Sequence, residues 1–305
     1  MAKVTKTLIY NLVLGINFVL IFTLMEVAVS KNVSLAIATN QSIPAEIEDY
    51  RIYQTIIKRI QIKYRQQTID KTIQQVSEQL LGAKYEAGLL DRSPQESLFV
   101  SLRQFDCMLF IETVLAIAHN IHQQNYSYQS LSHRVENQRY WNGKMNGYCS
   151  RLHYFSDWIE DNQRRGNVRN ITPRLKGVNT VKKLNFMTTH RSSYPNLVKS
   201  DLNFKCISRV EASLSQNFNY IPTKNIKRIY PQLKAGDIVG IATDIPGLDF
   251  THTGFVYQLP NGNLGLIHAS PVGKVVIAKD LQNYVENVKN AIGIVVTRAH
   301  EPKLR

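Results

Sequence analysis

Cysteine is scarce in this chain, and its scarcity excludes several kinds of site. The 305 residues contain three cysteines, Cys107, Cys149 and Cys206. Their spacing fits no structural zinc site. Because none precedes Cys107, a lipid-modified cysteine near the N-terminus is excluded. An odd number leaves at least one thiol without an intramolecular partner. A Cys149–Cys206 disulfide would leave Cys107 free, but sequence alone does not establish that pairing.

Acidic residues are also few relative to basic ones. The chain has 37 Lys and Arg against 23 Asp and Glu, a formal net charge of +14. Such an excess favours attraction to a polyanion such as nucleic acid, an anionic membrane or a cell-wall polymer, or it only keeps the surface soluble. The basic residues are spread along the chain, and no familiar nucleic-acid module is present. We therefore expect an envelope environment and no nucleic-acid partner.

Long apolar runs are absent except at the N-terminus. Residues 8–25 are almost wholly apolar and follow Lys3 and Lys6, and residues 34–38 form an Ala-x-Ala cleavage pattern. We predict that residues 1–38 are a cleaved signal peptide or a retained anchor, since the run is about long enough to span a bilayer. The protein is then exported to the periplasm or cell envelope of a bacterium, with membrane association if the segment is retained.

Neither an internal repeat nor a low-complexity linker divides the remainder, so we predict one domain over residues 39–305. Its composition, 44% hydrophobic and 20% charged, is that of a globular protein with a substantial core. Apolar residues recur at helical spacing over residues 69–81 and again from Cys107 to about residue 120. The first two thirds of the chain are therefore expected to be mainly helical.

The C-terminal third has a different pattern. It contains five short apolar runs typical of strands, at residues 238–242, 253–259, 264–268, 274–277 and 292–296. The Asn-Gly dipeptide at residues 261–262 predicts a hairpin turn between the second and third runs. These patterns predict an α+β fold in which N-terminal helices pack on a C-terminal antiparallel sheet, with residues 121–230 as a helical insertion.

Three residues in this arrangement could carry nucleophilic chemistry. Cys107 lies where a polar lead-in meets a predicted helix, and free N–H groups at a helix start stabilise a thiolate or an oxyanion. By itself such a cysteine is more often a small buried hydrophobic residue than a nucleophile. However, His252 opens one strand of the hairpin and His268 closes the other, so the turn brings them together. A thiol, a base and a residue that orients the base are thereby supplied.

Five short motifs in order give the chain a specific resemblance. They are Tyr-x-x-Gly at 85–88, Asp-Cys at 106–107, Gly-Asp at 236–237, His-x-Gly at 252–254 and His-Ala-Ser at 268–270. In this order they resemble the NlpC-type superfamily of papain-like cysteine peptidases and amidases. Within it, the chain is more similar to the N-acetylmuramoyl-L-alanine amidase-like family on three further stretches, residues 105–113, 148–158 and 247–249.

The resemblance implies a papain-like fold and an activity. A member of this family would hydrolyse an amide in peptidoglycan fragments through a thioester, at the bond between N-acetylmuramic acid and L-alanine, without a metal or other cofactor. Two alternatives stay open: a stem-peptide endopeptidase of the same superfamily, and a non-catalytic envelope protein that holds anionic wall polymer. Acyl transfer to a lipid would need an apolar trough, which no apolar run after the N-terminus indicates.

The resemblance also implies residue roles. Cys107 would be the nucleophile, His252 the general base and later the acid, and His268 the residue that orients His252. The Cys107 N–H and the Tyr85 hydroxyl would stabilise the oxyanion. Candidates for substrate binding are Asp106, Arg151, His153, Tyr154, Trp158, His190, Asp249 and Ser270. Each has a structural alternative: Asp106, for example, could be a helix N-cap.

Overall fold

The structure is a computed structural model that describes residues 45–61, 67–214 and 217–301. The chain separates into two compact units, residues 1–47 and 48–305. Only residues 45–47 of the first unit are described, so the predicted export segment at residues 1–38 lies outside the described residues. Everything below concerns the second unit.

Ten α-helices occur in the described part of the chain. They are α1 Ala45–Gln61, α2 Ile69–Gln79, α3 Cys107–His122, α4 Tyr128–Arg139, α5 Phe155–Arg164, α6 Phe186–Thr189, α7 Pro195–Val198, α8 Asp201–Ser213, α9 Ile226–Ile229 and α10 Leu281–Glu286. Helix α2 confirms the periodicity prediction, because Ile69, Ile73 and Val76 recur at intervals of four and three residues and are all buried.

Ten strands in the described residues form one mixed sheet. They are β1 Lys84–Tyr85, β2 Gln104–Phe105, β3 Val168–Asn170, β4 Val178–Val181, β5 Asn217–Pro222, β6 Ile238–Thr243, β7 Phe250–Gln258, β8 Leu264–Ser270, β9 Lys274–Ala278 and β10 Ala291–Ala299. Their order is β2-β1-β9-β8-β7-β6-β10-β5-β4, and β3 also pairs with β10. Only β1 and β2 pair in parallel. The five predicted C-terminal strands and their hairpin are confirmed as β6 to β10.

Helix α3 is the centre of the core and packs on β7 and β8. Nearly all of it from Leu109 to Ile121 is buried, including Phe110 and Val114. A helix that is apolar on most of its circumference must be covered on all sides. Helices α2 and α4 cover the faces of α3 that the sheet does not. The start of α3, where Cys107 lies, is thereby held firmly against the sheet.

The prediction that residues 121–230 form a helical insertion is wrong in part. Strands β3, β4 and β5 lie in this segment, and β3 and β5 both pair with β10 from the C-terminus. Strands β3 and β4 have only three and four residues, too few for a clear alternating pattern, and the β10 partner of β3 and β5 is distant in sequence. The sheet therefore extends well beyond the C-terminal third.

Pro195 also acts differently from expectation. The sequence predicts a helix over residues 183–198 that Pro195 ends, whereas the structure has two one-turn helices, α6 and α7, and Pro195 begins the second. Proline suits the first position of a helix because its missing N–H would have no partner there.

Cys149 and Cys206 form a disulfide that joins a 3-10 turn to α8, and Cys107 is free. The pairing that would leave Cys107 free is thus the one present. None of the helices within residues 45–61, 67–214 and 217–301 has the length and apolar character needed to cross a bilayer.

Candidate functional site

Cys107 is the first residue of α3, as the sequence predicts, and Asp106 is its N-cap. The Asp106 carboxylate accepts a hydrogen bond from the Leu109 N–H at 2.8 Å. Serving as a cap satisfies one of the unpaired donors at the helix start and fixes the backbone on which the thiol is mounted. The substrate-binding role of Asp106 stays a prediction.

His252 and His268 form a hydrogen-bonded pair. The His252 Nε2 and His268 Nδ1 atoms lie 2.7 Å apart, and the ring planes are nearly perpendicular. The exposed fractions are 7% for His252 and 1% for His268. Because Nε2 of His252 is committed to His268, its Nδ1 is the nitrogen left for proton transfer.

Thr253 connects this pair to the start of α3. Its hydroxyl donates to the Cys107 carbonyl oxygen at 3.2 Å and lies 3.8 Å from the Met108 sulfur. The residue next to His252 in β7 is therefore in direct contact with Cys107. Within the part of the chain that the structure describes, the Cys107 thiol makes no hydrogen bond to His252. Such bonds are often long in an enzyme without substrate.

The protonation states differ from the sequence-based expectation for a helix-start thiol. Burial and the neighbouring Asp106 carboxylate raise the pKa of Cys107 to about 11. Burial and the adjacent His268 lower the pKa of His252 to about 3, and burial lowers the pKa of His268 to about 4. The expected lowering of the thiol pKa is therefore wrong. At neutral pH the site holds a neutral thiol and two neutral imidazoles rather than a thiolate and an imidazolium.

Tyr85 is placed beside the thiol by the short parallel pair of β1 and β2. Tyr85 pairs with Phe105, two residues before Cys107. Burial, and the proximity of charge on Cys107 and Asp106, raise the pKa of the Tyr85 hydroxyl, which is therefore a protonated donor at neutral pH. Ser270 ends β8, and the Tyr85 N–H donates to the carbonyl oxygen of Gly273 in the turn that follows.

Tyr284 is a site residue that the sequence analysis missed. Its ring centre, carried by α10, lies 4.6 Å from that of His268 and 6.3 Å from that of His252. Burial and charge on Cys107 raise the pKa of Tyr284 to about 12. It therefore packs over the histidine pair within electrostatic reach of the thiol. Since α10 has no catalytic motif, no local pattern could have identified Tyr284.

Several candidates from the insertion have their polar atoms satisfied within the protein. Arg151 is buried and binds Glu96 and Asp91 through its guanidinium, at 2.6 and 2.9 Å. The Tyr154 hydroxyl donates to Glu211 at 2.7 Å. Asp249 accepts from the Ser156 N–H and hydroxyl, and so joins β7 to α5. These contacts are structural, and a substrate-binding role for these three residues stays a prediction.

The aromatic and histidine candidates are dispersed. A His153 ring nitrogen contacts the Tyr148 carbonyl oxygen at 2.9 Å, and Trp158 is fully buried. His190 is exposed and stacks on Phe186. Among the residues that the structure describes, no group of three or more His, Cys, Asp or Glu is placed to hold a metal ion.

Gly254 is needed for the close packing of the histidine pair. A β-carbon at this position would lie 2.9 Å from the His268 β-carbon and 2.8 Å from a Leu266 methyl. We expect Gly254→Ala to displace His268 and to lower kcat by about 10- to 100-fold, because small misplacements of catalytic groups cost this much. Turnover measured well below the Tm of the variant checks this. Unchanged turnover would show that the pair tolerates the displacement.

A family model and a solved structure point to the same family. The family model described as AmiA-like, N-acetylmuramoyl-L-alanine amidase-like, matches residues 75–294. A crystal structure of an N-acetylmuramoyl-L-alanine amidase from Bacteroides uniformis is 30% identical, covers 76% of this chain and 98% of its own, and superposes with a TM-score of 0.72. No match was found among functionally curated proteins.

Two further structures are similar. One from Bacteroides fragilis, provisionally described as a xylanase, is 32% identical over 73% of this chain and 99% of its own, with a TM-score of 0.69. A protein from Legionella pneumophila is 24% identical over 85% of this chain and 96% of its own, with a TM-score of 0.63, and shows the shared fold alone. The family match spans the helix-start cysteine and both histidines, and the chain belongs to the N-acetylmuramoyl-L-alanine amidase-like family.

Proposed function

We propose that this protein hydrolyses the amide between N-acetylmuramic acid and L-alanine in peptidoglycan fragments, using Cys107, His252 and His268. Membership of the family supports a cell-wall amidase. The observation that carries the residue assignment is the 2.7 Å hydrogen bond between the histidines, one residue from Thr253, which contacts Cys107. We also infer that the fold is the papain-like NlpC type, on the basis of a helix-start cysteine packed against a sheet that bears the histidines.

The first half of the reaction forms a thioester. His268 accepts a hydrogen bond from Nε2–H of His252, so Nδ1 of His252 is unprotonated and removes the Cys107 proton as the sulfur attacks the amide carbon. The Cys107 N–H and the Tyr85 hydroxyl stabilise the oxyanion. His252 then protonates the alanine nitrogen, the carbon–nitrogen bond breaks, and the amine leaves.

The second half releases the product. His252 removes a proton from water, which attacks the thioester carbon. The carbon–sulfur bond breaks and the sulfur recovers its proton from His252. The lactyl group of the sugar is set free as a carboxylic acid that loses its proton to solvent, and the site returns to a neutral thiol and neutral imidazoles. The net reaction consumes one water.

The pKa values predict an unusual pH profile. Because His252 is deprotonated down to a pKa of about 3 and Cys107 keeps its proton up to a pKa of about 11, kcat/KM should be flat from about pH 5 to about pH 9. Alkylation of the resting thiol should be slow at pH 7, where about one molecule in 10⁴ is a thiolate, and should rise about tenfold per pH unit. A fall in kcat/KM centred near pH 6.5 would contradict these protonation states.

Tyr284 gives a second prediction. If its ring holds the histidine pair, Tyr284→Phe should keep most activity, and Tyr284→Ala should lower kcat by about tenfold or more because it uncovers His268. Steady-state kinetics of both variants checks this. Equal loss in the two variants would instead assign the role to the hydroxyl.

The scissile bond is tested by the group that stays on the sulfur. Brief reaction with a defined muropeptide, followed by acid quenching and mass spectrometry, should find a mass increase on the Cys107 peptide. An adduct with the mass of N-acetylmuramic acid alone supports the amidase. An adduct that also carries alanine and glutamate would indicate cleavage within the stem peptide. Hydrolysis that leaves no adduct, and that Cys107→Ala does not reduce, would refute the mechanism.

We further propose export to the bacterial envelope. The Cys149–Cys206 disulfide supports this, since such bonds persist in oxidising compartments. Intact mass measured on protein recovered from the periplasm should show loss of residues 1–38 if they are a signal peptide. Recovery of all the protein from the cytoplasm would contradict export.

A further inference from the structure

The positive charge of this protein is concentrated in one segment. Residues 166–234 contain 13 Lys and Arg but only two acidic residues, so they carry +11 of the net charge of +14. The other 24 of the 37 Lys and Arg lie elsewhere in the chain, so the net charge is concentrated here because acidic residues are scarce in this segment. The two acids offset little surface charge, since Glu211 is buried against Tyr154 and Asp201 pairs with Arg191.

Helix α8 displays this charge together with apolar surface. Leu202, Lys205 and Arg209 follow one another at intervals of three and four residues, so they share one face of the helix, and all three are exposed. Ile207 and Glu211, on the opposite face, are buried. The outward face of α8 thus presents one large aliphatic side chain and two cationic side chains to solvent.

Val198 is a second exposed aliphatic residue, in a helix that contacts α8. It lies four residues before Leu202 at the end of α7, and the exposed fractions are 53% for Val198 and 79% for Leu202. Single exposed apolar residues are common on protein surfaces. Here, however, two strongly exposed aliphatic residues, at seven and three positions before Lys205, lie in the most cationic part of the chain. We name Val198, Leu202, Lys205 and Arg209 the α8 face.

The edge strand β4 repeats this combination. Val178 and Val181 are exposed, by 42% and 68%, and Lys183, two residues after Val181, is exposed too, whereas the Lys182 ammonium donates to the Thr243 carbonyl oxygen at 2.6 Å. A hydrophobic edge strand is a liability unless it is covered or charged. Cations and exposed aliphatic side chains therefore occur together at two places in residues 166–234.

We propose that the α8 face docks this protein on an anionic lipid bilayer. Each Lys or Arg near such a surface is attracted to acidic headgroups, and aliphatic side chains between them enter the boundary with the acyl chains. An anionic polymer would be held by the cations alone and would leave Val198 and Leu202 in water. The aliphatic residues therefore favour a bilayer over a wall polymer. Docking of this kind is independent of the catalytic residues.

The test is sedimentation of the full chain with vesicles of phosphatidylcholine alone or with about 30% phosphatidylglycerol. Binding to phosphatidylcholine alone measures the contribution of the apolar residues 8–25, and the gain with phosphatidylglycerol measures the charged surface. Two double variants change the α8 face: Lys205→Glu/Arg209→Glu and Val198→Ser/Leu202→Ser. The matched controls are Lys279→Glu/Lys289→Glu and Leu81→Ser, which alter exposed residues elsewhere. Circular dichroism and Tm establish that each variant is folded.

We expect the phosphatidylglycerol-dependent gain to fall at least about tenfold in Lys205→Glu/Arg209→Glu and severalfold in Val198→Ser/Leu202→Ser, with both controls close to the original protein. Equal binding to both vesicle types would overturn the proposal. A different outcome would assign the surface to an anionic wall polymer instead. In that case the charge variant would lose vesicle binding, the aliphatic variant would keep it, and the original protein would pellet with the purified polymer. Hydrolysis of a soluble muropeptide should be unchanged in all four variants, which separates this proposal from the proposed function.

Discussion

Replacing Cys107 by alanine is expected to lower kcat/KM on a defined muropeptide by about 10⁴-fold or more, because loss of a catalytic nucleophile leaves only binding and the oxyanion donors. The substitution removes one sulfur atom and keeps the Asp106 cap, whose acceptor is a side chain and whose donor is the Leu109 backbone. The helix start should therefore be unchanged. Product formation followed by mass spectrometry gives the rate.

The chain offers a matched control in its other two cysteines. Cys149→Ser/Cys206→Ser removes the disulfide and is expected to cost about 2–4 kcal/mol in the free energy of unfolding. Turnover measured below the Tm of that variant should be close to that of the original protein, since neither cysteine contacts the histidine pair. Loss of activity in both variants alike would mean that stability, and not the Cys107 thiol, limits turnover. Full activity in Cys107→Ala would refute a thiol nucleophile.

The second large effect is on stability. Glu112 lies in α3 five residues after Cys107, and its carboxylate accepts from Arg139 of α4 at 2.7 Å. The exposed fractions of the two side chains are 4% and 2%. Glu112→Ala is expected to reduce the free energy of unfolding by about 3–5 kcal/mol, because the Arg139 guanidinium would be left buried without its counter-charge. Urea denaturation measures the change.

The double variant Glu112→Ala/Arg139→Met is the control for this prediction. Removing both charges avoids the buried unpaired ion and should recover a large part of the lost stability. Arg139 also donates to the Phe99 carbonyl at 2.6 Å, so recovery will be incomplete. A loss below about 1 kcal/mol in Glu112→Ala would mean that water reaches Arg139 in the folded state. Because α3 carries the proposed nucleophile, activity should fall with the folded fraction and not before it.

Local sequence patterns were sufficient to predict the helix and the hairpin that carry Cys107, His252 and His268. The apolar residues after Cys107 predicted α3, and Asn-Gly predicted the hairpin that brings His252 and His268 to 2.7 Å. Both inferences depend on short-range rules: helical periodicity and turn chemistry act within a few residues. The roles assigned to these residues stay predictions, although the geometry is compatible with them.

Local sequence patterns did not predict the features that depend on residues far apart in the sequence. Strand β3 exists because residues 168–170 pair with residues 297–299 of β10, over a hundred positions later. Tyr284 reaches the histidine pair because α10 packs beside the sheet, not because of its neighbours in sequence. Arg151 is a reasonable ligand for an anionic substrate until the fold places Glu96 and Asp91 around it.

By itself the sequence determined the identity and order of the chemical groups, the hairpin that pairs the histidines, and the helix start that presents the thiol. The tertiary structure decided their protonation states and their neighbours. A helix start stabilises a thiolate in water, but burial withdraws the solvation that an ion needs, so Cys107 has a pKa of about 11 and His252 one of about 3. Desolvation depends on every element packed around a group, and no local stretch of sequence encodes it.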